Sequence, residues 1–128
     1  MGIYTDIASA LASRLNGVGI PIAFENAPFK PTAGVTYLRE AVLFGDNSAL
    51  GISRSDIYTG VYQVDVMAPK DKGKSRNNAD AVRALFSRGL RLSAGDKTIV
   101  IMQSSVGPSM ADADRWKTPV SIEFRVIA

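Results

Sequence analysis

Apolar residues change their period along this 128-residue chain, and each change predicts an element. In Gly60 to Met67, Tyr62, Val64 and Val66 alternate with Gln63 and Asp65, the period-two pattern of a half-buried strand. Ala68-Pro69 ends it, because proline has no N–H to give to a ladder. A charged turn runs from Lys70 to Arg76. After Asn77-Asn78 the period lengthens, with Ala79, Val82, Leu85 and Phe86 at helical spacing until Arg88-Gly89 closes the helix. This strand, turn and helix supply the core, so function is expected in what surrounds them.

The same reading extends along the chain. Ile3, Ile7, Leu11 and Leu15, with Ala8 and Ala12 beside them, form a helical stripe that Thr5 or Asp6 can cap and Asn16-Gly17 can stop. Such a stripe predicts a helix laid on a sheet. Ile20 to Phe24 is a short extended piece, and Glu25 to Gly34, with two prolines and a glycine, is irregular. Thr36 to Phe44 is a strand with apolar residues on both faces, expected to be central or at a subunit contact. Gly45 to Thr59 is polar and glycine-containing, either an extended hairpin tip or a loop. Its Leu50, Ile52 and Ile57 are apolar residues that a freely solvated loop does not need. Leu90 and Leu92 lead into the Ala94-Gly95-Asp96 turn. Lys97 to Gln103 is an apolar strand, and Ser104 to Asp114 a second loop. In Val120 to Ile127, Val120, Ile122, Phe124 and Val126 alternate with polar residues, as in a strand with one buried face. The order α-β-β-β-α-β-β predicts a single α+β domain over 1–128, a mostly antiparallel sheet with two helices packed on one face.

Composition narrows the chemistry. The chain has no cysteine, which excludes disulfides, zinc-thiolate sites and cysteine nucleophiles, and no histidine, the commonest general base and metal ligand. The formal net charge is +3, and the turn from Lys70 to Arg76 holds four basic residues against one acid. The remainder is close to neutral, unlike a uniformly basic nucleic-acid binder. No apolar run approaches the ~20 residues of a membrane span, and the N-terminus lacks the order of a signal peptide. A soluble chain made in the cytoplasm is the expectation.

One motif invites a catalytic reading. Ala68 to Ser75 fits a relaxed phosphate-binding loop ending in Gly73-Lys74-Ser75, placed between a strand and a helix. Against it, Pro69 removes one N–H, the helix begins beyond Ser75, and no apolar strand ends in an acid to hold magnesium. The chain is also short for parallel strands joined by helical crossovers. Asp112 and Asp114 lack the glycine and terminal glutamate of a calcium loop. Ser104, Ser105 and Ser109 have no histidine to activate them. Glu25, Glu40, Asp65 and Glu123 are expected to face solvent, and Arg39 and Arg125 to be outward charges. No cofactor, no metal and no enzymatic activity are predicted.

Several stretches together resemble a family. Phe24-Glu25-Asn26, Phe29-Lys30-Pro31, Gly34 and Tyr37-Leu38-Arg39 are similar to the N-terminal half of tail terminator (tail completion) proteins of long-tailed bacteriophages. So are Tyr58, Gly60, Tyr62 to Val66, Ala68-Pro69 and Gly73, and the ending Asp114-Arg115-Trp116 with Pro119 to Ile122. The resemblance runs from the first helix to Arg125, and the chain is more basic than the family in the turn. It implies a structural virion protein at the head-proximal end of the tail. Such proteins form a ring, usually a hexamer, that caps the tail tube, stops polymerisation of the major tail tube protein and meets head–tail connector proteins. In that picture Leu50, Ile52 and Ile57 are the candidate contact residues of one segment. Lys70, Lys72, Lys74 and Arg76 are those of another, able to steer association or touch passing DNA. A neck protein that joins head to tail, or a weak nucleic-acid-binding module using the basic turn, are the alternatives.

Overall fold

The structure is a computed structural model that describes residues 2–25, 28–45, 48–50, 55–70 and 76–127. Helix α1 spans Ile3–Leu15 and α2 Arg76–Leu85. The strands are β1 (Ile22–Ala23), β2 (Tyr37–Phe44), β3 (Ser48–Leu50), β4 (Ser55–Pro69), β5 (Arg91–Ala94), β6 (Lys97–Val106), β7 (Met110–Asp112) and β8 (Arg115–Ile127). They form one sheet in the order β1-β2-β4-β8-β6-β5, with β3 added to β4 and β7 to β8. Only the two-rung β1–β2 contact is parallel among the described pairings. The α+β class therefore holds.

Both helices lie on one face, because the apolar side of each strand points there. Ile7, Leu11 and Leu15 of α1 and Ala79 and Val82 of α2, with Phe86 just beyond it, are buried against Tyr62, Val64, Val66, Ile99, Ile101, Val120, Ile122, Phe124 and Val126. Arg14 donates from Nε to the Leu85 carbonyl at 2.9 Å, tying α1 to the carbonyl end of α2, where a cation is favoured.

Boundaries differ from the sequence reading in instructive ways. Helix α1 starts at Gly2 as cap, ahead of Thr5 and Asp6. It tightens into a 3-10 turn over Asn16–Val18, and the left-handed residue is Gly19 (φ 80°), not Gly17. Strand β4 runs 15 residues, absorbing part of the 45–59 segment. Leu92 lies in a strand, β5, and β6 continues through Ser104–Val106, read as loop. Strand β8 begins at Arg115 and contains Pro119. That proline is tolerated between two neighbours for a local reason. Its carbonyl accepts from Gly107 N–H at 2.8 Å, so its own nitrogen faces the gap between the last rung of β6 and the first of β7, where no donor is needed. A Cβ on Gly107 would lie 2.9 Å from Pro119 Cγ, which keeps that position small.

Glu40 corrects the expectation that strand carboxylates face water. It is buried on the helix side of β2. It accepts from Tyr62 O–H at 2.8 Å and from Glu25 N–H at 3.2 Å. Burial, reinforced by the Glu40 charge, drives the Tyr62 hydroxyl far above the ordinary phenol range. The pair pins the exit of β1 against the centre of the sheet.

Candidate assembly surfaces

The sequence-predicted contact residues separate to opposite ends of β4. Ser48, Ala49 and Leu50 pair with Ile57, Asp56 and Ser55, so β3 and the start of β4 form a hairpin arm. The ladder to β8 stops at Ile57↔Ile127, and past that rung Asp56 and Ser55 are paired with β3. The hairpin alternative for 45–59 is thus the one the fold adopts. Leu50 and Ile57 have a place in that backbone, whereas their side chains, and Ile52 altogether, lie outside the described residues. At the other end, about 40 Å away at the usual rise per strand residue, Lys70 follows the last rung of β4. Its Nζ stands 5.9 Å from the Trp116 ring centroid, a cation–π contact. Arg76 opens α2 and is exposed. Lys72 and Lys74 lie outside the described residues, as does the Gly73-Lys74-Ser75 motif. Strand β4, which leads into it, is antiparallel to both β2 and β8. A phosphate-binding loop instead belongs to a parallel, helix-crossed sheet.

The face of the sheet away from the helices is the surface that sequence reasoning missed. Its half near Pro69 is covered by the protein's own chain. Residues 28–36 fold across it as a strap, fixed by Arg115. The Arg115 guanidinium donates from Nη1 to Val35 O (2.7 Å) and Met67 O (3.3 Å), and from Nη2 to Thr32 O (3.0 Å). It also stacks 4.9 Å from the Tyr37 ring, which meets Phe29 at 5.0 Å. Arg115, Met67 and Asp65 are buried as a result. Arg39, expected to be a plain outward charge, bridges Asp65 at 3.3 Å and Asp112 at 3.6 Å, and Gln63 donates to Asp65 at 3.1 Å.

The half near the arm is bare. Leu43 is 57% exposed and Met102 38%. With Val61, Glu123 and Arg125 they border a groove of about 560 Å³ that crosses β2, β4, β8 and β6. Met102 reaches it because the β6–β8 register shifts between Ile101 and Gln103, a bulge that re-aims one side chain. Arg125 contradicts its expected outward placement in one respect: its Nε is buried and has no hydrogen-bond partner among the described residues. Beneath the groove Gly60 sits between Phe44 and Phe124. A Cβ there would come within 2.7 Å of Phe124 Cζ and of the Leu43 carbonyl. Phe44 and Phe124 meet edge-on at 6.3 Å on the helix side, where Tyr4 packs on Phe44 at 4.5 Å. Tyr4 and Phe44 are 46% and 38% exposed. Aromatic contacts stiffen the base of the arm, and apolar surface is open on both sides of it.

Another hollow, about 960 Å³ between α2 and β6, is lined by Asp80, Arg83, Ser87, Arg88, Gln103 and Ser105 among others. Arg83 Nε donates to Ser104 O at 3.1 Å, so this stretch of strand edge is capped by its own helix. Among the described residues no group of three or more acidic, histidine or cysteine side chains is arranged to hold a metal, and no helix is long and apolar enough to cross a membrane.

A family model described as phage tail terminator protein matches residues 6–124. One solved structure, 27% identical, aligns over 96% of this chain and 94% of its own with a TM-score of 0.77. A second, from the virion of a native gene transfer agent particle, is 15% identical, covers 99% of this chain and 98% of its own, and has a TM-score of 0.61. That identity speaks to fold alone. No curated protein matches the sequence.

Proposed function

This chain belongs to the phage tail terminator protein family, a structural family of the virion and not an enzyme, and from that premise we propose that it forms the ring that ends the tail tube. The ring stops polymerisation of the major tail tube protein at the head-proximal end and offers its outer side to head–tail connector proteins. The observation that carries this reading is the arm. A two-stranded hairpin that continues past its own sheet is marginal by itself in water, and it rises from a base with exposed Leu43, Phe44 and Tyr4. Such a segment becomes stable by lying on another molecule. Contacts from one end of a subunit to a different surface of the next are heterologous, and they close into a ring when the rotation per subunit is right. Six copies is the expected closure. Leu50, Ile52 and Ile57 supply the apolar side of the arm contact. Lys70, Lys72, Lys74 and Arg76, at the far end, steer association or face DNA, since charge without an apolar anchor acts mainly on encounter.

Complementation of a terminator-deficient phage tests this. Deleting residues 47–54 is expected to leave the circular dichroism of the domain unchanged and to abolish tails of defined length. Reversing Lys70, Lys72 and Lys74 to glutamate is expected to give a milder, salt-sensitive defect. Normal tails from the deletion together with failure of the charge reversal would invert the two roles. A chain that stays monomeric by light scattering and never appears on tails by microscopy would remove the ring itself.

A further inference from the structure

We propose that the bare groove on the helix-free face, bordered by Leu43, Val61, Met102 and Arg125, is the seat for the arm of a second copy of this chain. The inference rests on the ring reading and adds to it the surface that receives the arm.

The covered half of the same face shows what this sheet binds. There an extended segment lies across the strands, and an arginine rooted in β8 holds it by donating to main-chain carbonyls, those of Thr32 and Val35. The bare half repeats the arrangement with the segment missing. Arg125 lies on the same strand and the same face as Arg115, ten residues further along, so alternation brings it to that side again. Its Nε is buried with no acceptor among the described residues. A buried donor in that state calls for a partner, and the apolar border at Leu43, Val61 and Met102 calls for an apolar one. The fitting occupant is an extended segment that carries both apolar side chains and free carbonyls.

This chain contains such a segment. The outer strand of the arm, β3, has one neighbour, β4, among the described pairings, so one line of its main-chain groups faces away from the ladder. Its sequence, from Ser48 through Ile52, is apolar at Ala49, Leu50 and Ile52. The arm cannot fold back into its own groove, because β4 passes without interruption from the arm into the sheet. It must therefore reach the groove of another copy. A contact from arm to groove joins different surfaces of the two partners, the heterologous geometry that a ring requires.

The absence of native cysteine makes the test clean. Met102→Cys is combined in one chain with Ser48→Cys, Ser53→Cys or Ser55→Cys, and phage particles carrying each doubly substituted chain are mildly oxidised. The expected result is a covalent ladder, dimer through closed ring, from at least one pair and from neither single variant. Assembled particles that give only monomer with all three pairs would overturn the inference while leaving the ring reading in place. A product that stops at dimer would keep the arm in the groove and overturn the ring. Hydrogen exchange on the unsubstituted protein, free and in particles, gives a reading that needs no variant. Residues 43–45, 59–61 and 101–103 are expected to exchange at least about tenfold more slowly in particles. Unchanged exchange there would overturn the inference even if no doubly substituted chain assembles. Protection without any cross-link in assembled particles would assign the groove to a different virion protein, and would equally overturn it.

Discussion

The two halves of the helix-free face are built from the same four central strands and treat them in opposite ways. Near Pro69 the chain covers its own sheet. The 28–36 strap crosses it, Arg115 donates three hydrogen bonds, and Met67 falls to 3% exposure. Near the arm, one strand-length away, Leu43 remains 57% exposed and Arg125 Nε has no acceptor. Equal strand chemistry with unequal cover separates what the monomer needs from what an assembly needs. A closed polar network with buried apolar neighbours stabilises a fold. A groove with apolar borders and an unmet donor contributes little to the isolated chain and much to a contact.

Substitutions on each half break the comparison if it is wrong. Arg115→Ala should have the largest effect on the isolated protein. It removes three charged hydrogen bonds and leaves the strap carbonyls without their donor, a loss of about 3 kcal/mol. Urea titration reads this as a lower midpoint, and proteolysis within 28–36 should accelerate. If stability stays within the error of the titration, the strap is not held as described.

Tyr62→Phe probes the opposite, helix-covered face and should cost about 1–2 kcal/mol, because the buried Glu40 carboxylate loses a donor. It should also change the pH profile. The Tyr62 hydroxyl is raised from 10.0 by folding, so the native state holds this proton more tightly than the unfolded chain. Stability from this group is complete below pH 10 and falls as pH climbs above it. The Phe variant should have a shallower alkaline decline in thermal denaturation scans. An alkaline limb of the same steepness would show that other groups set it.

The smallest effect on the monomer is expected from Leu43→Ser and Met102→Ser. Both side chains are exposed, so stability should stay within about 0.5 kcal/mol of the parent. Tail completion should nevertheless fail in the double variant. A loss of stability comparable to Arg115→Ala would place these residues in the monomer core and erase the contrast.

Much of this protein was legible in the order of its residues. Period-two alternation in Tyr62–Val66 and Val120–Val126 located the central strands and their buried side, because side-chain direction in a strand depends on parity alone. Helical spacing located Ile7, Leu11, Leu15, Ala79 and Val82 on the covering helices. Absence of cysteine and histidine removed most catalytic chemistry before any fold was known. Strand ends were less legible. Gly45 to Thr59 is rich in turn formers, yet its described residues largely join a ladder, because pairing with a neighbouring strand outweighs weak local preference.

Only the tertiary structure decided the environment of the charged residues. Arg39, Arg115 and Arg125 all occupy the helix-free side of their strands by parity, but one joins an acidic network, one staples a strap and one is left without an acceptor at Nε. Glu40 lies where alternation puts an apolar residue, and it is held there by a tyrosine 22 positions away. These outcomes depend on which distant segment crosses above each side chain. Parity fixes the direction in which a side chain leaves its strand, whereas burial and partners are fixed by chain brought from elsewhere, and local sequence carries no record of that.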